Sequence, residues 1–108
     1  MLPVLLAMLC LDPSQSDPIH VTAKKLADEF IDNYDAARAK YWNRELIVSG
    51  TVLYAATDHV DLETNRSGVV RCFAEKKLPR WPRGVKVVLR GRFREKQAGV
   101  VLEGCRVE

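Results

Sequence analysis

The segment ELIVSGTVLY, residues 45–54, decides the fold of this 108-residue chain. It reads as one long, half-buried β-strand with Gly50 in its middle. A second segment, GVKVVLRGRF at residues 84–93, repeats the arrangement with Gly91. Because a glycine inside a strand costs packing and backbone entropy, such strands indicate positions where a sheet bends sharply or another backbone approaches. Small closed β-barrels need positions of this kind.

Outward from these two segments, the sequence predicts five strands, at residues 46–54, 59–62, 69–73, 85–93 and 100–107. Between the third and fourth strands, Pro79 and Pro82 permit only a turn or a short helical piece. Together with the glycine bends, this arrangement predicts a mainly β domain with one N-terminal helix, folded as a five-stranded Greek-key OB-fold barrel.

The single helix is predicted to begin after Thr22, whose hydroxyl can cap it. Its apolar positions fall at the spacing of one helical face: Leu26, Phe30, Tyr34 and Ala37. Charged residues occupy the other side, so we expect the helix to be a packing element.

Residues 1–18 read as a signal-like apolar segment followed by a linker, which leaves residues 19–108 for the OB-fold domain. Residues 1–11 carry no charge and are too short to span a bilayer, as in the apolar region of a secretion signal. Residues 12–18, DPSQSDP, have the composition of a linker. We therefore expect export to the periplasm or cell envelope, with a cytoplasmic location as the alternative. Cys10 raises lipidation as a further alternative, although the preceding Leu9 is larger than usual for such a signal.

Charge is distributed unevenly along the chain. Residues 1–63 hold five basic and ten acidic side chains, a net −5, whereas residues 64–108 hold twelve basic and four acidic, a net +8. In the fourth predicted strand, alternation places Arg90, Arg92 and Arg94 on one face, about 7 Å apart, which suits the phosphates of an extended single strand. Lys96 in the last hairpin would extend this surface. The alternative is a solvated strand face without a ligand.

Residues 40–52, 69–73, 84–91 and 100–107 resemble the tRNA_anti-like family of bacterial OB-fold proteins, which are small exported or lipoprotein-type proteins. The positions that carry the resemblance are Ala37, Tyr41, Gly50, Cys72, Gly84 and Cys105. Asn43 and Arg44 stand where a Gly-Lys turn is usual, and asparagine tolerates a positive φ there. The resemblance implies nucleic-acid binding. Together with the arginine spacing and the lack of catalytic motifs, it leads us to expect a non-enzymatic OB-fold module that binds single-stranded nucleic acid.

OB-fold proteins generally bind oligomers with the second and third strands and the flanking loops. On this chain the surface would include Arg71 and Phe73, with a base stacked on the phenyl ring beside the guanidinium. The acidic side chains of Asp58 and Asp61 on the neighbouring strand would repel phosphate. A protein or peptide partner in the cell envelope, acidic or extended and without any nucleic-acid ligand, is therefore the alternative.

The cysteines indicate neither a metal site nor a cofactor. The chain has three cysteines and two histidines without a C-x-x-C pair, so no metal is predicted. In an OB-fold the third and fifth strands pair, which would bring Cys72 and Cys105 together, either as a disulfide or as two buried thiols. No nucleophile elbow or phosphate-binding loop is present, so we predict no enzyme. The sole alternative is a nuclease-like set: Asp58, Asp61 and Glu63 with Arg71.

Overall fold

The computed structural model describes residues 17–66, 68–94 and 100–108. In chain order the elements are β1 (Ile19–Thr22), α1 (Ala23–Asp32), α2 (Tyr34–Tyr41), β2 (Glu45–Ala55), β3 (His59–Leu62), β4 (Val70–Ala74), β5 (Lys86–Phe93) and β6 (Val100–Val107). Neither helix in this described part is long and apolar enough to cross a membrane.

Five of the six strands in the described residues close into a barrel. They follow the order β2, β3, β4, β6, β5, and β5 pairs again with β2. The β4–β6 pair is parallel, and the other barrel pairs are antiparallel. The prediction of a mainly β chain with a closed five-stranded barrel is thus confirmed. The sixth strand, β1, was not predicted; it lies outside the barrel, parallel to the first half of β2.

The prediction of one N-terminal helix is wrong, because Asn33 divides the helical region in two. Its backbone is extended, with φ −154° and ψ 90°. The backbone N–H of Asn33 donates to the Glu29 carbonyl at 3.0 Å and ends α1, while its Oδ1 accepts from the Ala36 N–H at 3.1 Å and begins α2. The predicted cap is confirmed, since Thr22 Oγ1 accepts from the Lys25 N–H at 3.1 Å.

The helices pack against the barrel through aromatic rings. The centroid of the Phe30 ring on α1 lies 5.0 Å from that of Phe93 on β5 and 6.0 Å from that of Tyr41 on α2. Tyr41 and Phe93 are almost fully buried, whereas Tyr34, predicted to share one helical face with Phe30, is 44% exposed. The break at Asn33 explains this difference, because it resets the helical phase.

Glycine in the long strands permits close packing, as the sequence indicated. A Cβ atom at Gly50 would lie 3.1 Å from the Cβ of Ala23, so glycine lets the start of α1 approach β2. At Gly91 a Cβ atom would lie 2.6 Å from the Sγ of Cys105, which is too close for any side chain without rearrangement.

The turn from α2 into β2 has the conformation expected from its sequence. Asn43 adopts a positive φ of 56°, which asparagine tolerates better than most residues. Its N–H donates to the Phe93 carbonyl at 3.2 Å, and the Arg44 N–H donates to the Tyr41 carbonyl at 2.9 Å. This turn therefore joins the helical region to the end of β5.

Candidate functional site

Three rings lie side by side on the outer surface of β2, β3 and β4. The ring centroids of Tyr54 and His59 are 5.9 Å apart, and those of His59 and Phe73 are 5.8 Å apart. Tyr54 is 55% exposed and Phe73 is 39% exposed. We call these three residues the aromatic face. The His59 side chain between the other two is 19% exposed, and its ring is tilted by 46° against Tyr54 and by 50° against Phe73. The exposed rings of Tyr54 and Phe73 are therefore the two that offer apolar surface to a planar ligand.

The strand register brings two of these rings together. On β3, Val60 and Leu62 are buried in the barrel, so the alternation of the strand turns His59 outward. The antiparallel register then places His59 opposite Phe73 on β4. Phe73 thus lies on the outer surface, which a role in stacking requires.

Tyr54 joins the face because β2 is irregular. Its pairing with β3 shifts register between Val52 and Tyr54. Val52 is fully buried, and strict alternation would have put Tyr54 inside the barrel with it. Sequence reasoning missed Tyr54, and it also missed that the His59 ring lies between those of Tyr54 and Phe73. The only available hint was that a tyrosine hydroxyl inside a small barrel would need a buried hydrogen-bond partner.

Arg71 lies next to the aromatic face and is held by a buried carboxylate. Its Nε and Nη2 donate to the two carboxylate oxygens of Asp61 at 2.7 and 3.0 Å. The Asp61 side chain is 9% exposed, whereas that of Arg71 is 43% exposed. The hydrogen bond to Asp61 raises the pKa of Arg71 above its ordinary value. Since a guanidinium has five N–H donors, Arg71 keeps three that Asp61 does not use.

The three acidic residues in β3 or next to its ends each contact a different basic side chain: Asp61 contacts Arg71, Asp58 contacts His59, and Glu63 contacts Lys24. The negative charge of Asp61, which was expected to repel phosphate, is therefore compensated within β3 and β4. Within the described ranges, no three His, Cys, Asp or Glu side chains are grouped so that they could hold a metal ion.

The predicted arginine ladder, which we call the basic strand (Arg90, Arg92 and Arg94), has a different environment. Arg90 contacts two carboxylates, with Nη1 3.2 Å from Oε1 of Glu45 and Nε 3.2 Å from Oε2 of Glu108. Arg92 donates from Nη1 to the carbonyl of Asn43 at 2.6 Å. Two of the three guanidinium groups are thus already engaged by the chain itself.

The remaining basic residues of this region differ in accessibility. Arg94 is exposed, and no side-chain partner occurs for it in residues 17–66, 68–94 and 100–108. Arg106 on β6 contacts Glu45, as Arg90 of the basic strand does. The Nη2 of Arg106 lies 3.4 Å from the Oε2 of Glu45. Lys96, which was predicted to extend the basic strand, lies outside the described residues.

Cys72 and Cys105 are buried neighbours with free thiols. The parallel β4–β6 pair brings them together, since Cys72 lies opposite Leu102 and Ala74 opposite Cys105. A hydrogen bond to Cys105, together with burial, raises the pKa of Cys72 well above its ordinary value. Both cysteines are completely buried, so they fill the core as small apolar side chains do.

Comparison of the chain with known protein families, with curated proteins and with solved structures found no match.

Proposed function

We propose that this chain is an OB-fold module of the tRNA_anti-like type that binds single-stranded nucleic acid and catalyses no reaction. The observation that carries the proposal is the aromatic face, with Arg71 held beside it. The surface formed by β3 and β4 corresponds to the second and third barrel strands, which OB-folds use to bind oligonucleotides. The strand order and the parallel β4–β6 pair support the Greek-key assignment.

In this proposal, bases stack on the exposed rings of Tyr54 and Phe73. Stacking of a base on an aromatic side chain contributes about 1–3 kcal/mol, and it requires no particular base. Arg71 and Phe73 lie two residues apart on one face of β4, which is about 7 Å. A phosphate next to the base on Phe73 would therefore lie within reach of the guanidinium. Asp61 fixes the orientation of that guanidinium before the ligand arrives.

Fluorescence anisotropy of labelled oligo(dT) and oligo(U), titrated with the full-length chain at several salt concentrations, tests this proposal. We expect micromolar binding and a shallow salt dependence. One or two phosphate contacts give a slope of about −0.7 to −1.4 in log affinity against log salt, because each contact in a single strand contributes about −0.7. Absence of binding at low salt would refute the proposal.

A second candidate function is the binding of an extended peptide from a protein partner. It is favoured by β1, which among the described strands has a hydrogen-bonded neighbour on one side only. A peptide can add to such a free edge through main-chain hydrogen bonds. This mode predicts no oligonucleotide binding and little dependence on salt, so the same titrations distinguish the two functions.

We also propose that the protein is exported to the cell envelope. The proposal rests on the apolar, uncharged composition of residues 1–11. Cell fractionation of the full-length chain with a C-terminal tag tests it, and recovery in the cytoplasmic fraction alone would contradict it.

A further inference from the structure

A groove of about 520 Å³ lies on the outside of the barrel, and none of the three residues of the aromatic face lines it. It runs between the end of β1, the middle of β2 and the beginning of β5. Hydroxyl groups come from Thr22, Ser49 and Thr51, and an apolar wall comes from Val87 and Val88. Its volume falls within the range of small-molecule sites, which is roughly 300–1,000 Å³.

The charges around this groove favour an anion. Lys24 and Lys86 both line it, and Glu63 is the one acidic residue among its described lining residues. Lys86 makes no ion pair or hydrogen bond within the described ranges. Lys24 lies 3.9 Å from Glu63, and both side chains are about half exposed, at 50% and 44%. An exposed pair at that distance is weak, so an incoming anion can displace Glu63 from Lys24.

Hydroxyl groups complete the donor set. The Oγ1 of Thr22 accepts the capping hydrogen bond of α1, which leaves its own hydroxyl hydrogen to donate. Ser49 and Thr51 are partly exposed, and they alternate with the buried Val48 on β2, so both point outward into the groove. Lysine ammonium groups and hydroxyls are common donors to phosphate oxygens.

From these observations we propose that the groove binds a small phosphomonoester. Its phosphate lies between the ammonium groups of Lys24 and Lys86, with donors from the serine and threonine hydroxyls. The organic part of the ligand packs on Val88, which is 42% exposed. This site is separate from the aromatic face, and it stands whether or not the protein binds nucleic acid.

The test uses the full-length chain labelled with ¹⁵N and three probes: glucose 6-phosphate, inorganic phosphate and unphosphorylated glucose. We expect glucose 6-phosphate to shift the amide resonances of Ser49, Thr51 and Val88 with a millimolar dissociation constant. Inorganic phosphate should shift them more weakly, and glucose should not shift them.

Substitutions then locate the charge that holds the probe. Lys86→Gln should weaken the binding of glucose 6-phosphate about tenfold, as expected for loss of one hydrogen bond from a charged group. Lys76→Gln is the matched control, since it removes the same charge from an exposed position outside the groove and should leave the affinity unchanged. Lys86 is exposed, so neither change should disturb folding.

Two results would overturn the proposal. One is the absence of shifts at these three amides with millimolar glucose 6-phosphate. The other is an equal loss of affinity in Lys76→Gln and Lys86→Gln, which would indicate attraction to the net positive charge of the protein. Neither result depends on oligonucleotide binding, which the variants of the aromatic face test separately.

Discussion

The aromatic face and the basic strand both lie on the outside of the barrel, but they differ in what they offer a ligand. Tyr54 and Phe73 present ring surface to solvent. On the basic strand, Arg90 and Arg92 point outward as predicted, yet carboxylates and a backbone carbonyl already bind their guanidinium groups. A count of basic residues in the sequence therefore overstates the charge that remains available after folding.

The largest effect on oligonucleotide affinity is expected when the two exposed rings of the aromatic face are removed. Tyr54→Ala combined with Phe73→Ala should weaken the binding of oligo(dT) at least about thirtyfold, because two stacking interactions of about 1–3 kcal/mol each are lost. The combination of Arg90→Ala with Arg92→Ala should weaken it less than about threefold, since neither guanidinium is free to bind phosphate. Anisotropy at physiological salt measures both.

Tyr34→Ala provides the matched control for ring removal, because this tyrosine is 44% exposed but lies on α2. It should bind oligonucleotide like the unchanged chain. A larger loss of affinity in the double arginine variant than in the variant without Tyr54 and Phe73 would contradict this prediction. The basic strand, and not the aromatic face, would then be the ligand site.

Next in size is the effect of Arg71→Gln on stability. The substitution leaves the carboxylate of Asp61 largely buried without its partner, so the free energy of unfolding should fall by about 2 kcal/mol. Arg94→Gln is the control on the basic strand, where an exposed arginine without a side-chain partner in the described ranges should change stability by less than about 0.5 kcal/mol. Urea unfolding measures both. Equal stabilities would show that the Arg71–Asp61 contact contributes nothing.

The helices belong to neither surface, but a contact between them makes the stability of the fold depend on pH in a defined way. Tyr41 donates its hydroxyl to Glu29 at 2.5 Å, and Lys40 donates to the same carboxylate at 2.9 Å. Burial raises the pKa of Glu29, but these two hydrogen bonds and the positive charges of Lys40 and Lys25 together lower it below its ordinary value of 4.5. Glu29 therefore stabilises the fold above pH 4.5, and this stabilisation is lost as the pH falls through the lowered value.

Tyr41→Phe should consequently cost about 1 kcal/mol of unfolding free energy at neutral pH, and less as Glu29 becomes protonated. Urea unfolding at neutral and acidic pH measures the change. A cost independent of pH would contradict the assignment to Glu29. Oligonucleotide binding at neutral pH should not change, which separates this stability effect from the ligand surfaces.

The smallest expected effect is an increase in oligonucleotide affinity. Glu45 contacts both Arg90 and Arg106, so Glu45→Gln should release positive charge on β5 and β6. We expect a roughly threefold increase in oligonucleotide affinity at low salt, with a steeper salt dependence. Glu75→Gln, an exposed residue beyond the end of β4, is the charge-matched control. An equal gain in both variants would indicate a general effect of net charge.

Local pattern predicted the five barrel strands and the cap at Thr22, because alternation and capping depend on neighbouring residues. It also indicated the close packing at Gly50 and Gly91. The break at Asn33 was missed, since the apolar spacing continues through it to Ala37. The strand β1 was missed because four residues carry too short a pattern.

The candidate site was predictable only where it followed from alternation, as for Phe73 and Arg71. Tyr54 depended on a register shift, which residues 45–54 alone do not reveal. Neutralisation of Arg90 depended on Glu45 and Glu108, whose positions relative to β5 are set by the closed barrel. Contacts between distant segments thus decided which predicted residues remain accessible.

The strand β2 has a consequence for how the chain folds. It pairs with β1 and β3, which are near in sequence, and with β5, which follows much later. Glu45 lies opposite Arg92, so the barrel cannot close until most of the chain has been synthesised. Because distant segments must meet before these contacts form, we expect folding within roughly milliseconds to seconds, slower than for a helical protein of this size. Until then one edge of β2 stays open to association with other chains.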